Sequence, residues 1–225
     1  MNFLSYALDW LRAPAQWHGS DGIPIRILEQ LGYSGLSLLI AVLIAVPLGV
    51  LIGHTGRGAV LVVNIANAWR AIPTLGLLVL AVITLGFSPL AWLIPLVVLG
   101  IPPILVNTYE GVAGVDAGLK DAARGMGMTQ WQQLRKVEMP VALPLIMLGL
   151  RTGAIFVVAT ATIAAYIGLG GLGRYIIDGL ATDNYGEVAG GAALVVLLAL
   201  AVQLLFVGLR RLVVPAGLRR QARPS

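Results

Sequence analysis

Five stretches of this chain run for about 20 residues or more with at most one charged side chain apiece, and that spacing of charge limits what it can fold into. They are Tyr33 to Gly53, Gly58 to Gly86 with Arg70 inside, Pro89 to Thr108, Val141 to Tyr166 with Arg151 inside, and Val188 to Leu209. A bilayer core about 30 Å thick is crossed by roughly 20 apolar residues in α-helix, which satisfies each backbone N–H and C=O without water. The sequence therefore predicts an all-α membrane protein with about five transmembrane helices. Composition excludes the soluble alternative: 58% of the 225 residues are hydrophobic and only 11% are charged, less than half the roughly 25% usual in soluble domains.

Pro73 predicts a kink or tilt in the second run, and Pro95, Pro102 and Pro103 predict an irregular third helix. Arg70 lies toward one end of its run, where its stem can snorkel to the interface. Orientation follows from the basic residues. Placing the connection 112–140 inside puts Lys120, Arg124, Arg135 and Lys136 there, and five spans put Arg210, Arg211, Arg219, Arg220 and Arg223 on the same side, with Arg57. The other side keeps Arg12, Arg26 and Arg174 against six acids, so the N-terminus is expected outside and the C-terminus inside. Residues 1–32, with Trp10 and Trp17, are expected along the outer interface as a short amphipathic segment and not as a sixth span. The opening lacks a basic n-region and carries Asp9 before any long apolar core, so it does not read as a cleaved signal peptide.

The net charge of +5 comes from basic residues beside apolar runs, so a lipid bilayer, and not nucleic acid, accounts for it. There is no Cys, and His18 and His54 stand far apart in sequence without a nearby ligand cluster, so no catalytic or metal site is expected. Lys120 and Lys136 are the lysines, and neither sits in the Gly-rich context that cradles nucleotide phosphates. Ion-driven carriers often place carboxylates within their spans. No acid occurs here from Gln30 to Tyr109, from Met139 to Ile177, or from Val188 onward.

The longest inner polar stretch, GVDAGLKDAARGMGMTQWQQLRKVEMP, reads as two short helices separated at Gly125 to Gly127. Leu119, Ala122, Ala123 and Met126 share one apolar face of the first. Thr129-x-x-Gln132 has capping-box spacing at the start of the second, Pro140 limits its far end, and Trp131, Leu134 and Val137 share a face. A hairpin resting on lipid headgroups is one explanation. The finer spacing gives another: Asp121-Ala122-Ala123, three residues, Gly127, nine residues, then Val137-Glu138-Met139-Pro140 closely resembles the EAA loop of ABC importer permeases. Asp replaces Glu at 121, Val replaces Ile at 137, and Met replaces Leu at 139. The phrases NAWRAIPTLGLL and ATIAAYIGLGGLGRYI are similar to those of the branch importing glycine betaine, choline and carnitine.

The resemblance implies a permease domain over 33–209, with a cytoplasmic coupling-helix hairpin at 112–140, an external loop at 167–187 and a basic tail at 210–225. It implies that Asp121, Ala122, Ala123, Gly127, Thr129, Trp131, Leu134, Val137 and Pro140 form the surface docking on a cytoplasmic ATPase subunit, with Gly127 at the turn. It also implies ATP and Mg in that ATPase and no cofactor in this chain, a second permease copy or sister permease, and a separate extracytoplasmic substrate-binding protein. Arg70 and Arg151 are candidates for the substrate path, with snorkelling or a subunit interface as the alternative. Gly168, Gly170 and Gly171 in the external loop are candidates for a gate, with a tight turn as the alternative. Trp69, Trp92 and Tyr166 read as interface anchors or packing and not as an aromatic cage. The basic tail could sense ionic strength, although the inside bias of positive charge already explains it. An importer of another small solute such as an amino acid, a carrier or channel working without ATP, and a scaffold without transport are the competing functions.

Overall fold

A computed structural model describes residues 3–214, except for the side chains of residues 3, 4, 63 and 70. The elements are α1 (Phe3–Arg12), a 3-10 turn (Pro14–Trp17), α2 (Ile23–Thr55), α3 (Ala59–Ala71), α4 (Thr74–Leu85), α5 (Pro89–Ala113) and α6 (Ala117–Gly125). After these come α7 (Gln130–Gln133), a π-helical segment (Leu134–Glu138), α8 (Met139–Ala164), a 3-10 turn (Ala165–Ile167), α9 (Gly173–Ala181) and α10 (Tyr185–Val213). Among the described residues four helical stretches are long and apolar enough to cross a membrane, or five if α3 and α4 make one crossing together.

Three expectations change. The second apolar run is not one kinked helix: Pro73 stands outside the helix as the cap of α4, and neither α3 nor α4, at about 1.5 Å per residue, spans a 30 Å core alone. The third run is regular, because α5 continues from Pro89 to Ala113 through Pro95, Pro102 and Pro103; neighbouring helices make such prolines tolerable in membrane helices. The first long helix begins at Ile23, ten residues before the uncharged run, because Arg26 and Glu29 pair with each other at 2.9 Å and fit its opening turns.

The chain packs as two compact units. One comprises the stretch up to Leu39 with Ile72–Gly100 and Ala154–Val202; the other comprises Ile40–Ala71, Ile101–Gly153 and the stretch from Gln203. In the first unit, one core gathers Leu78, Leu96, Val157, Ala161 and Ala164, and another gathers Trp10, Ile23, Leu172 and Tyr175. Trp10, expected at the outer interface, is buried: its ring meets that of Tyr175 edge-on at 4.9 Å, and it lies close against Gly190, where no side chain intervenes. Trp17 is exposed.

In the second unit the core is Val112, Leu134, Ala142 and Ile146, and its helices meet at glycines. A Cβ added to Gly53 would stand 2.7 Å from Val112 Cβ, and one added to Gly149 would stand 2.8 Å from Asn107 Cβ and 3.0 Å from Pro103 O. Gly149→Leu is therefore expected to force α8 from α5 and to cost about 1–3 kcal/mol, seen as a lower Tm in detergent. Gly35→Ala, at a position with no neighbour within 4 Å, should leave Tm unchanged or raise it.

Candidate functional site

The 112–140 hairpin is built by its caps. α5 ends at Ala113, and Asp116 Oδ1 accepts the Leu119 N–H at 3.1 Å to start α6. Of the expected apolar face only Ala123 is buried; Ala122 is exposed, and Leu119 and Met126 are 49% and 70% exposed. Asp121 is exposed beside Arg124, 3.4 Å away, a geometry that contributes little to stability in water.

α6 closes on a Schellman motif. The Gly127 N–H donates to Arg124 O at 2.9 Å and the Met128 N–H to Ala123 O at 3.1 Å, which places Gly127 in the left-handed region at φ +76°. Nothing lies within 4 Å of a Cβ built there. Of the two reasons for a glycine at this turn, backbone freedom and close approach, the first is the physical one. The next helix opens on the capping box read from the sequence: Gln132 N–H donates to Thr129 Oγ1 at 3.3 Å, and Thr129 N–H donates to Gln132 Oε1 at 2.9 Å.

Beyond the cap two expectations fail. Trp131 does not share a buried face with Leu134 and Val137: it is 66% exposed, Val137 is half-buried, and Gln133 and Glu138 are buried beside Leu134. Residues Leu134–Glu138 wind as a π-helix, with the Met139 N–H bonded to Leu134 O five residues back. That turn carries an extra residue and moves the buried face by about 100°. Pro140, expected to limit the helix, instead lies inside an unbroken helical stretch, Gln130–Ile167. It has no N–H to give, and it occupies the first turn of α8 directly after the π segment, where the ordinary ladder is already interrupted.

The π segment also buries a polar cluster that sequence reasoning missed. Glu138, 1% exposed, takes a 2.8 Å hydrogen bond from Gln133 Nε2 on Oε1, and its Oε2 lies 2.6 Å from His54 Nδ1 at the end of α2. The sequence did carry a signal, since His54 and Glu138 each stand at an end of an apolar run on the same expected side. The pair does not make a metal site: no group of three or more His, Cys, Asp or Glu that could hold an ion occurs among the described residues.

In the other unit, the external loop is tied to the start of α2. Glu29 Oε2 accepts the Gly171 N–H at 2.8 Å and a bond from Arg26 Nη1 at 2.9 Å, and Gln30 Nε2 donates to Val158 O at 3.0 Å and Thr162 Oγ1 at 3.1 Å. Tyr175 Oη donates to Asp21 O at 2.6 Å; burial pushes this phenol up to about 12, so it stays protonated as a donor across the physiological range. Gly171 has φ +88°, and a Cβ there would press on the Gln30 carboxamide, as one on Gly170 would on the Glu29 carboxylate. Gly168 and Gly170 line a cavity of about 290 Å³ whose wall includes Tyr33, Phe87 and Trp92. Trp92, read as packing or an anchor, does pack against the Leu78 and Leu96 core and also lines this cavity, whereas Tyr166 is exposed and Trp69 lines a second cavity of about 170 Å³ with Asn107 and Thr152 in the other unit. Arg151 is half-buried on α8. Arg70 lies on α3 and its side chain falls outside the described residues, as do Arg219, Arg220 and Arg223 of the basic tail.

Over residues 45–217 the chain matches the family described as binding-protein-dependent transport system inner membrane component. It is 37% identical over 191 residues to the glycine betaine/carnitine/choline transport system permease protein OpuCB of Bacillus subtilis strain 168, covering 85% of this chain and 88% of that one. It is 37% identical over 192 residues to the choline transport system permease protein OpuBB of the same organism, with the same two coverages, 85% and 88%. Its fold is similar to a chain of the methionine ABC transporter MetNI in an inward-facing conformation, with a TM-score of 0.73, 26% identity, and coverage of 86% of this chain and 96% of that one.

Two substitutions probe the hairpin. Gly127→Ala is expected to cost about 1–2 kcal/mol through the left-handed backbone, read as faster proteolysis or hydrogen exchange confined to the hairpin. Glu138→Ala leaves His54 and Gln133 without their acceptor and should cost roughly 1–3 kcal/mol of global stability in detergent.

Proposed function

The chain belongs to the family of binding-protein-dependent transport system inner membrane components, and from that premise we propose that this ABC importer permease carries a quaternary-amine osmoprotectant such as glycine betaine, choline or carnitine. The support for the cargo is the naming of its relatives for those solutes at 37% identity. A separate binding protein would deliver it.

The energy comes from a partner. The observation that carries this reading is the apolar surface left bare on the hairpin by Leu119, Met126 and Trp131. Large apolar side chains left exposed on an otherwise polar loop suit a protein contact. A cytoplasmic ATPase subunit covering them would use the exposed Asp121 and Arg124 as rim charges, while Thr129 and Gly127 fix the angle between the two short helices. ATP and Mg would be bound in that subunit. With two permeases, either copies of this chain or one copy and a sister, closure of the ATPase pair moves both hairpins, and the helical continuity from Gln130 into α8 carries the displacement as a largely rigid body. None of the eighteen most apolar consecutive residues of α10 is fully buried within the chain; Leu194, Val195 and Leu198 pack against the Trp10 core, and the remaining apolar side of that stretch is left to lipid or to the second permease.

Tagged protein drawn from native membranes in mild detergent should bring with it an ATPase and a binding protein that takes up betaine, choline or carnitine. Trp131→Asp should leave the permease in the membrane and lower both ATPase recovery and uptake roughly tenfold or more, since a buried interface tryptophan commonly contributes about 2 kcal/mol. Unchanged uptake would remove the hairpin from coupling, and a binding protein selective for an amino acid would replace the cargo.

A further inference from the structure

The 290 Å³ cavity beside the external loop has a wall chemistry that suits one kind of solute. Tyr33 of α2 and Trp92 of α5, both half-buried, hold their rings 4.9 Å apart at a 55° tilt, so their planes do not stack flat. Phe87, 88% exposed, stands at the mouth. Ser88 and the backbone of Gly168 and Gly170 complete the polar part of the lining, and among the described residues no Lys or Arg lines the cavity. Behind the same turn lies the Glu29 carboxylate, which accepts the N–H of Gly171, the residue after Gly170, and is ion-paired with Arg26 at 2.9 Å.

A quaternary ammonium group neither donates a hydrogen bond nor loses its charge, so a site gains little by offering it ordinary acceptors. Aromatic faces attract it through their quadrupole, most strongly when partly screened from water. We propose that Tyr33, Phe87 and Trp92 form a transit site for the quaternary ammonium end of the cargo, with the Gly168 to Gly171 turn as one of its walls. This rests on the quaternary-amine reading above. It assigns to Trp92 and Tyr33 a contact with substrate in the permease itself, apart from any site in the binding protein.

The chain has no cysteine, so Ser88→Cys places a single thiol of this chain in the cavity wall. In membranes holding the whole transporter, maleimide labelling of that thiol is followed with increasing choline or with 3,3-dimethylbutan-1-ol, its uncharged carbon isostere. Choline should slow labelling and the isostere should not. Adding Trp92→Leu should raise the choline concentration for half-protection roughly 3- to 30-fold, while Trp92→Phe retains most of the protection. Absence of protection, equal protection by both compounds as an apolar or lipid occupant would give, or indifference to Trp92→Leu overturns the site. Parallel uptake assays keep the two failures apart. Uptake of a quaternary amine without choline protection refutes the cavity and leaves the cargo reading standing, and uptake of none of the three solutes refutes the cargo reading and the site with it.

Discussion

Helices surrounded by hydrocarbon gain nothing by hiding apolar surface from one another, since lipid chains are as apolar as leucine. They associate where backbones can approach closely and where buried polar groups find partners. Both devices recur here within each unit. Gly53 lies against Val112, Gly111 against Ala142, and Gly149 against Asn107 in one; Gly173 lies against Thr162 and Gly191 against Tyr175 in the other. Because α5 and α8 are clamped at such points, the chain that joins them, residues 114–138, leaves and re-enters the packed helices at fixed places.

Polar chemistry then secures each loop from within. Glu138 gathers His54 and Gln133 under the inner hairpin, and Glu29 gathers Arg26 and the Gly171 amide beneath the outer turn. At the inner hairpin Glu138 sits on the packed side, while Leu119, Met126 and Trp131 face outward beside the exposed Asp121.

Much of this was readable before any coordinates. Uncharged runs locate membrane helices because the bilayer imposes a length, and Thr129-x-x-Gln132 locates a helix start because two orphan N–H groups must be met within one turn. Gly127 was legible as a turn, though not which of its two properties matters. What escaped were contacts between residues distant in sequence and departures from the 3.6 period. His54 and Glu138 are 84 residues apart and look isolated on the page. Trp131, Leu134 and Val137 were assigned one face by a period that the π segment breaks. Trp92 was legible as packing but not as a cavity wall, because a ring lining a cavity and a ring filling one have the same local sequence.

The π segment has one more consequence. A loop ordinarily tolerates gain or loss of a residue, since its ends can shift to absorb the change. The residues before Leu134 are instead geared to α8 through a single wound shaft, and each residue inserted or removed between Leu134 and Glu138 would turn everything upstream by about 100°. Trp131 would point elsewhere while every downstream contact stayed intact. A change in the length of this short segment would therefore disturb the hairpin more than a change in its side chains.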